Sequence, residues 1–483
     1  MGSENTKPAK EKLDPGVLKV AIILVVGALA PLFDSTMVNV AIHTIANDMQ
    51  ATLSSVQWVT TGYILAMGVV IPISGWATAR FGCKRSYIFA LSIFLVGSVC
   101  TMLSWNIGSM IIFRVLQGIG AGILMPVLQT ELVQVSGGRN LGRIMAIISI
   151  PTLLGPILGP VLGGIIVNGL SWRAIFWINI PICIVAIPLA LWGLPKDKLS
   201  EKKASLDVIG LLMLSPAFAL LIYGIAQIAA HGGLNSSAVY VPLGIGIVLM
   251  ASYVVYALKT KREPALNLRL FKSTNFSASN VLLLFSGIIS NGAMLILPLY
   301  YQEARGASAL YAGLWLIPQG IGMLLTRSWA GRAADRNGSR TIVLFGLAAV
   351  IIGTLPFAFA GTGTNYILLS AALLVRGAGL GGLFIAIMAS ALVGLPREQV
   401  PHASIATRIF NTVGGAFGTA ILSTVAQRQM AGHAGSDLSA VAHSFNVSFW
   451  WSIGFTVVAI IPTLFLAMRK KPEQGTAPQA ANS

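Results

Sequence analysis

Three ionisable residues sit where a water-soluble protein would not keep them. Asp34 lies in Pro31-Leu32-Phe33-Asp34-Ser35-Thr36-Met37-Val38-Asn39, inside an apolar run of about Val17 to Ile42. Arg114 lies in Arg114-Val115-Leu116-Gln117-Gly118-Ile119-Gly120, inside about Ser109 to Leu132, and Glu131 stands near the end of that run. A carboxylate at the centre of a bilayer costs about 2.5–3.5 kcal/mol on insertion scales, so such groups face a cavity, find a counter-charge and mark an ion or substrate path. Apolar surroundings disfavour the charged form of an acid, which suits a group that gains and loses a proton in a working cycle. Asp34 is the expected proton carrier and Arg114 its natural electrostatic partner. A satisfied structural acid is the competing reading for Asp34. For Glu131, a solvated helix end competes with a second proton site.

The elements that must position these groups are apolar throughout. The chain has 483 residues, 55% hydrophobic and 10% charged, with mean hydropathy +0.80; soluble proteins carry about 25% charged residues. This is an all-α integral membrane protein by composition. The net charge of +17 does not imply nucleic acid, because the basic residues form short clusters between apolar runs, the orientation signal of membrane proteins. Cys83, Cys100 and Cys183 are scattered and the five histidines are isolated, so neither a disulfide framework nor a metal site is supported. No GxxxxGK[ST] loop is present, which argues against ATP as the energy source. No cofactor is implied, and no cluster of His, Ser or acid at a membrane face suggests an enzyme.

Fourteen apolar runs are expected, the first ten beginning near Val17, Val56, Tyr87, Ser109, Ile144, Ala174, Val208, Ala238, Phe276 and Leu310, the last four near Thr341, Tyr366, Ile405 and Val447. With the N-terminus inside, every strong basic cluster falls on one side, and an even count puts both termini in the cytoplasm. The expected units are a cytoplasmic tail (1–15), an N-terminal six-helix bundle (16–198), two inserted helices (199–260), a C-terminal six-helix bundle (261–471) and a second tail (472–483).

Glycine patterns mark the places where helices come close. In Leu154-Gly155-Pro156-Ile157-Leu158-Gly159-Pro160-Val161-Leu162-Gly163-Gly164, three glycines four apart form one stripe up a helix, and two prolines each remove a donor and bend it. The readings are a kinked packing helix or a moving pivot. A second pattern occurs twice. Gly75…Ala79-Arg80-Phe81-Gly82-Cys83-Lys84-Arg85 ends the second run, and Gly331…Asp335-Arg336-Asn337-Gly338-Ser339-Arg340 ends the tenth. Arg114 lies 39 residues beyond Gly75 and Arg376 lies 45 beyond Gly331, each followed by alternating glycines. Two halves with matching devices imply a transporter built from repeats, with its site between them near the midplane. Asn39, Trp58, Tyr63, Gln129, Phe285 and Asn291 are candidates to line that cavity.

These motifs carry a resemblance. G-P-x-x-G-P-x-x-G-G resembles the antiporter motif on the fifth helix of major facilitator drug exporters, with Ala146 where the longer form has an upstream glycine. The repeated loop resembles the superfamily's G-x-x-x-D-R-x-G-R-K, whose charges latch the cytoplasmic side; the first copy has Ala79 for the acid and Cys83 for a base. Asp34-Ser35-Thr36 through Asn39-Val40-Ala41 resembles the first span of fourteen-span drug:proton antiporters, with His43 at a place often held by proline. The segment around Arg114 resembles the fourth-span motif whose arginine is tied to proton movement. Further matches lie at Trp172-Arg173…Asn179…Pro181, Leu206-Asp207…Gly210, Pro298…Gln302, Gly313…Pro318 and Arg408-Ile409-Phe410-Asn411…Gly415. The chain is thereby identified as a member of the EmrB/QacA type. That resemblance implies the major facilitator fold, two bundles rocking around a central cavity, and proton-driven export of amphipathic, often cationic compounds. A monomer in the bacterial inner membrane is expected, with membrane lipid around it; a periplasmic adaptor is possible but not indicated. A nutrient or peptide symporter and a lipid exporter share the scaffold and remain open.

Overall fold

The computed structural model describes residues 14–51, 53–137, 143–144, 147, 155, 158–159, 162–167, 169–197, 206–230, 235–260, 264–307, 309–431 and 438–466. Among them every regular element is helical, with no strand. A helix satisfies its backbone within one segment, as a bilayer demands. The principal helices are α1 (Pro15–Asp48), α2 (Leu53–Phe81), α3 (Cys83–Met102), α4 (Ile107–Val135), α5 (Arg173–Trp177) and α6 (Asn179–Gly193), then α7 (Val208–Ala230) and α8 (Ser237–Lys259). They continue with α9 (Thr274–Leu299), α10 (Ala309–Trp315), α11 (Ile317–Asn337), α12 (Ser339–Ala358), α13 (Tyr366–Leu392), α14 (Val400–Ala431) and α15 (Leu438–Val458).

Twelve of the described helices are long and apolar enough to cross a membrane, against fourteen runs expected. The fifth run lies mostly outside the described residues, Pro156 and Pro160 included. The tenth is a helix, broken at Leu316 and continued as α11, but α11 carries Arg327, Arg332, Asp335 and Arg336 and is less apolar for it. Large side chains such as Trp192 and Ile367 stand exposed, as a lipid-facing surface requires.

Close packing follows the glycines. On α4, Gly118 and Gly122 lie against the backbone of Tyr63 and Met67 of α2, and Gly120 lies against Ala90 and Phe94 of α3. On α13, Gly377 and Gly381 meet Gln319 and Met323 of α11, and Gly379 meets Gly346 of α12. A Cβ at any of these glycines would strike a neighbouring backbone, so small residues let the helices approach. The inserted helix α7 packs against both α2 and α14. Its N-terminus is tied down by Asp207, which accepts from Gly210 N at 2.9 Å, from Tyr256 Oη at 2.7 Å and from Ala265 N at 2.9 Å.

Both copies of the loop pattern make the same turn. Gly82 and Gly338 have φ of +88° and +84°, a left-handed conformation that favours glycine, and each is followed at once by a new helix. In the first copy Asp197 accepts from the backbone of Lys84 (2.8 Å) and Arg85 (3.2 Å), capping α3. Lys84 Nζ in return donates to the carbonyls of Leu191 (2.6 Å) and Leu194 (3.1 Å) at the end of α6. Acid at a helix start and base at a helix end both complement the helix dipole.

Candidate functional site

Asp34 is wholly buried on α1, and its partner is Arg114 of α4, also wholly buried. Arg114 Nη1 donates to Asp34 Oδ2 in a short charge-assisted contact. Around the pair stands a polar network from four helices. Arg114 also donates to Val59 O (3.2 Å) and to Gln117 Oε1 (3.0 Å). Gln117 Nε2 donates to Ser98 Oγ at 2.7 Å and reaches Asp34 Oδ1 at 3.4 Å. Asn179 Nδ2, at the start of α6, donates to Asp34 Oδ1 at 3.0 Å. Thr101 Oγ1 donates to Gln117 Oε1 at 3.2 Å. Such a network lets two charges persist away from water, since an ion pair alone seldom repays its desolvation.

The network does not open into the central cavity. The Tyr63 ring lies under the Arg114 guanidinium, 4.2 Å from its carbon, while Tyr63 itself lines a cavity of about 540 Å³. Its hydroxyl reaches Pro31 O at 3.4 Å. Tyr63 is therefore the wall between the ion pair and the cavity. Helix α1 serves both sides: Pro31, Leu32, Ser35 and Thr36 line the cavity, and Asp34 points behind them. The opposite wall comes from α9, α11, α13 and α14, and Ile222 and Tyr223 of α7 close a flank.

The glycine stripe touches the same turns of α1. Gly155 lies against Leu32, Gly159 against Thr36 and Gly163 against Met37, while Gly164 has open space. Thr36 Oγ1 donates to Gly155 O at 3.0 Å. Any sliding of the stripe along α1 would thus move the turn that carries Asp34.

The remaining candidates are dispersed. Asn291 lines the cavity, with its amide against Gly415 of α14. Trp58 is exposed and stacks on Tyr223 at 5.8 Å. Phe285 packs into the apolar core. Gln129 is buried and its amide reaches Met388 Sδ at 3.8 Å, linking α4 to α13. Glu131 is buried beside Cys83, with Asp197 and Lys84 nearby, and shares no hydrogen bond with the Asp34 network. Gly75 abuts Ile405 of α14, so the first loop pattern joins the two halves by packing; Arg80 ends α2. Gly331 is buried within α11 and Arg340 is in the first turn of α12. The side chains of Asn39, Asp335 and Arg336 lie outside the described residues.

Sequence reasoning passed over Ser98, Thr101, Gln117 and Asn179 as site residues. Each is a polar residue in an apolar run, and Gln117 falls three residues after Arg114 on one helix face; those were the available signals. It also passed over Arg408, which lines the cavity.

The architecture agrees with the comparisons. A family model described as Major Facilitator Superfamily matches residues 24–419. A Mycobacterium tuberculosis protein named multidrug resistance protein B homolog is 34% identical over 417 residues, covering 86% of this chain and 77% of that one. The probable multidrug resistance protein EmrY of Escherichia coli is 30% identical over 460 residues, covering 92% and 87%. A crystal structure of a double-tryptophan variant of XylE superposes with a TM-score of 0.68 at 15% identity, over 94% of this chain and 96% of that one, which speaks to fold alone. An all-helical chain with paired charges sealed inside its helices and a cavity between its halves is a multi-pass transporter of small molecules rather than an enzyme, and this chain belongs to the Major Facilitator Superfamily.

Proposed function

We propose that the chain is a proton-coupled exporter of amphipathic small molecules, a fourteen-span drug:proton antiporter of the EmrB/QacA type. It would lie in the bacterial cytoplasmic membrane with both termini inside, its six-helix bundles at 16–198 and 261–471 and the inserted pair at 199–260. The observation that carries this reading is the shared use of α1: one turn presents Leu32 and Ser35 to the cavity and Asp34 to Arg114. A proton arriving at Asp34 neutralises it and frees Arg114, and the change reaches the cavity through Tyr63 and the stripe-packed turn of α1. Coupling of this kind needs a differential effect on two states, and a carboxylate that is either charged or protonated supplies one. Two relatives carry multidrug-resistance names, which favours drug-like substrates. The family resemblance favours cationic substrates, and a cation in the cavity would need a carboxylate facing it. Asp34 is sealed behind Tyr63, so charge preference falls to whichever residues do line it.

The test is Asp34→Asn and Asp34→Glu in proteoliposomes with an imposed pH gradient. Asn keeps the shape but cannot titrate, so uphill export should vanish, and Glu should restore part of it. Gradient-driven export by Asp34→Asn equal to the native protein's would remove Asp34 from proton coupling.

A further inference from the structure

Among the described residues, three arginines buried or half-buried in the helices around the cavity, Arg114, Arg376 and Arg408, are not treated alike. Arg114 is matched by Asp34 and two neutral acceptors. Arg376 is spent on Gln319 Oε1 (2.6 Å), Ile289 O (3.0 Å) and Thr354 Oγ1 (3.2 Å). Arg408 of α14 lines the cavity, and among the described residues it makes no hydrogen bond or ion pair. No acidic side chain lines the cavity with it. An arginine in a membrane interior without a counter-charge is costly and marks a substrate path.

Its neighbours on α14 fit the same purpose. Asn411 and Thr412 follow at the third and fourth positions, on the same helix face, and both line the cavity. Asn291 of α9 faces this helix, one turn further on, at Gly415. Met67, Met125 and Phe384 line the same cavity, an apolar bed that accommodates varied shapes. A guanidinium fork matches a planar or tetrahedral oxyanion with two parallel hydrogen bonds.

We infer that Arg408, with Asn411 and Thr412, forms the recognition site for the anionic group of an amphipathic substrate, so that the cavity selects anions over cations. The assignment rests on the exporter reading above and adds the charge class to it. The bound anion supplies the counter-charge Arg408 lacks, and its apolar body lies on the methionine and aromatic wall.

The test uses purified protein in non-ionic detergent and two permanently charged probes, taurocholate and tetraphenylphosphonium. Equilibrium binding should favour taurocholate by about tenfold or more, the scale of one charged hydrogen bond. Arg408→Ala should weaken taurocholate about tenfold and leave tetraphenylphosphonium within about twofold; Arg408→Lys keeps the charge but not the fork, so it should bind taurocholate more tightly than Arg408→Ala and less tightly than the native protein, which also shows that the site still folds. Preference of the native protein for tetraphenylphosphonium, binding of neither probe, or an equal loss of both in Arg408→Ala would each overturn the assignment. The same preparations in proteoliposomes separate the two proposals: anion-selective binding without gradient-driven transport would keep the Arg408 site and sink the proton-coupled exporter.

Discussion

The N-terminal and C-terminal helices use one packing scheme to hold two different polar centres. Gly118, Gly120 and Gly122 of α4 find their counterparts in Gly377, Gly379 and Gly381 of α13, each set against the second and third helices of its half. Counting from those contacts, Arg376 occupies the place of Gln117, not that of Arg114. Gly97 backs Gln117 as Gly353 backs Arg376, and Ser98 meets the one as Thr354 meets the other. The loop-to-arginine spacings, 39 and 45, differ because Gly377 lies 46 residues beyond its loop glycine against 43 for Gly118, and because Arg114 stands four residues before its glycine and Arg376 only one. Asp34 on α1 makes the first centre ionic, whereas α9 has no acidic residue and offers Arg376 only the carbonyl of Ile289. One half therefore holds an ion pair that protonation of its acid would break, and the other holds a fixed charge on neutral acceptors.

The sharpest break of that contrast is Asp34→Asn. It leaves Arg114 buried without its counter-charge, which costs about 3–5 kcal/mol when one partner of a buried pair is removed. Thermal unfolding in detergent should show a large loss of stability. The double variant Asp34→Asn/Arg114→Gln should recover much of it, while gradient-driven export stays absent. If the single variant unfolds like the native protein, the pair is not what holds this centre together.

Next in size is Gly159→Leu. A side chain there would overlap Thr36 on α1, so transport should fall by about tenfold or more at normal membrane levels. Gly164→Leu meets open space and should transport normally. Equal behaviour of the two would reduce the stripe to filler.

Arg376→Gln should matter less, since Gln117 already fills the corresponding place in the other half. Its amide can still meet Thr354, and stability should change by no more than about 1 kcal/mol, with proton coupling intact in the proteoliposome assay. Loss of coupling would make the two centres functionally alike despite their chemistry.

The smallest effect is expected at the end of α1, outside the spans. Asp48 accepts from Trp172 Nε1 (2.8 Å) and Arg173 Nη1 (2.9 Å), and these bonds hold its carboxyl below the usual 3.8. A depressed value means the contact stabilises the fold above about pH 4 and is lost as pH falls further. The group is about half exposed, so Asp48→Asn should cost at most about 0.5 kcal/mol near neutral pH. The native protein and the variant should converge in melting temperature below pH 4.

Much of the fold was open to reading in the residues themselves. Apolar runs longer than a bilayer is thick can only be helices, so the class followed from composition. Asp34 and Arg114 stood out because charge inside a span needs a reason, and their attraction made a pairing natural. The stripe of Gly155, Gly159 and Gly163 on one helix face followed from a period near four. Helical counting says which residues share a face, but not what that face meets.

The contacts between distant segments were decided by the tertiary structure alone. Nothing local announces that Asn179 will cross 145 positions to Asp34, or that Asp197 will cap α3 where Ala79 lacks an acid. Nor does any pattern tell that Tyr63 stands between the ion pair and the cavity, or that α7 closes its flank. The reason is physical. Hydrophobicity and hydrogen-bond periodicity act along the chain and choose elements, whereas the rotation and depth of each helix against its neighbours are set by close packing of many small contacts at once. A carboxylate faces a buried counter-charge or a cavity according to that rotation, and a shift of one residue on α1 would bring Asp34 to the place of Ser35, on the cavity.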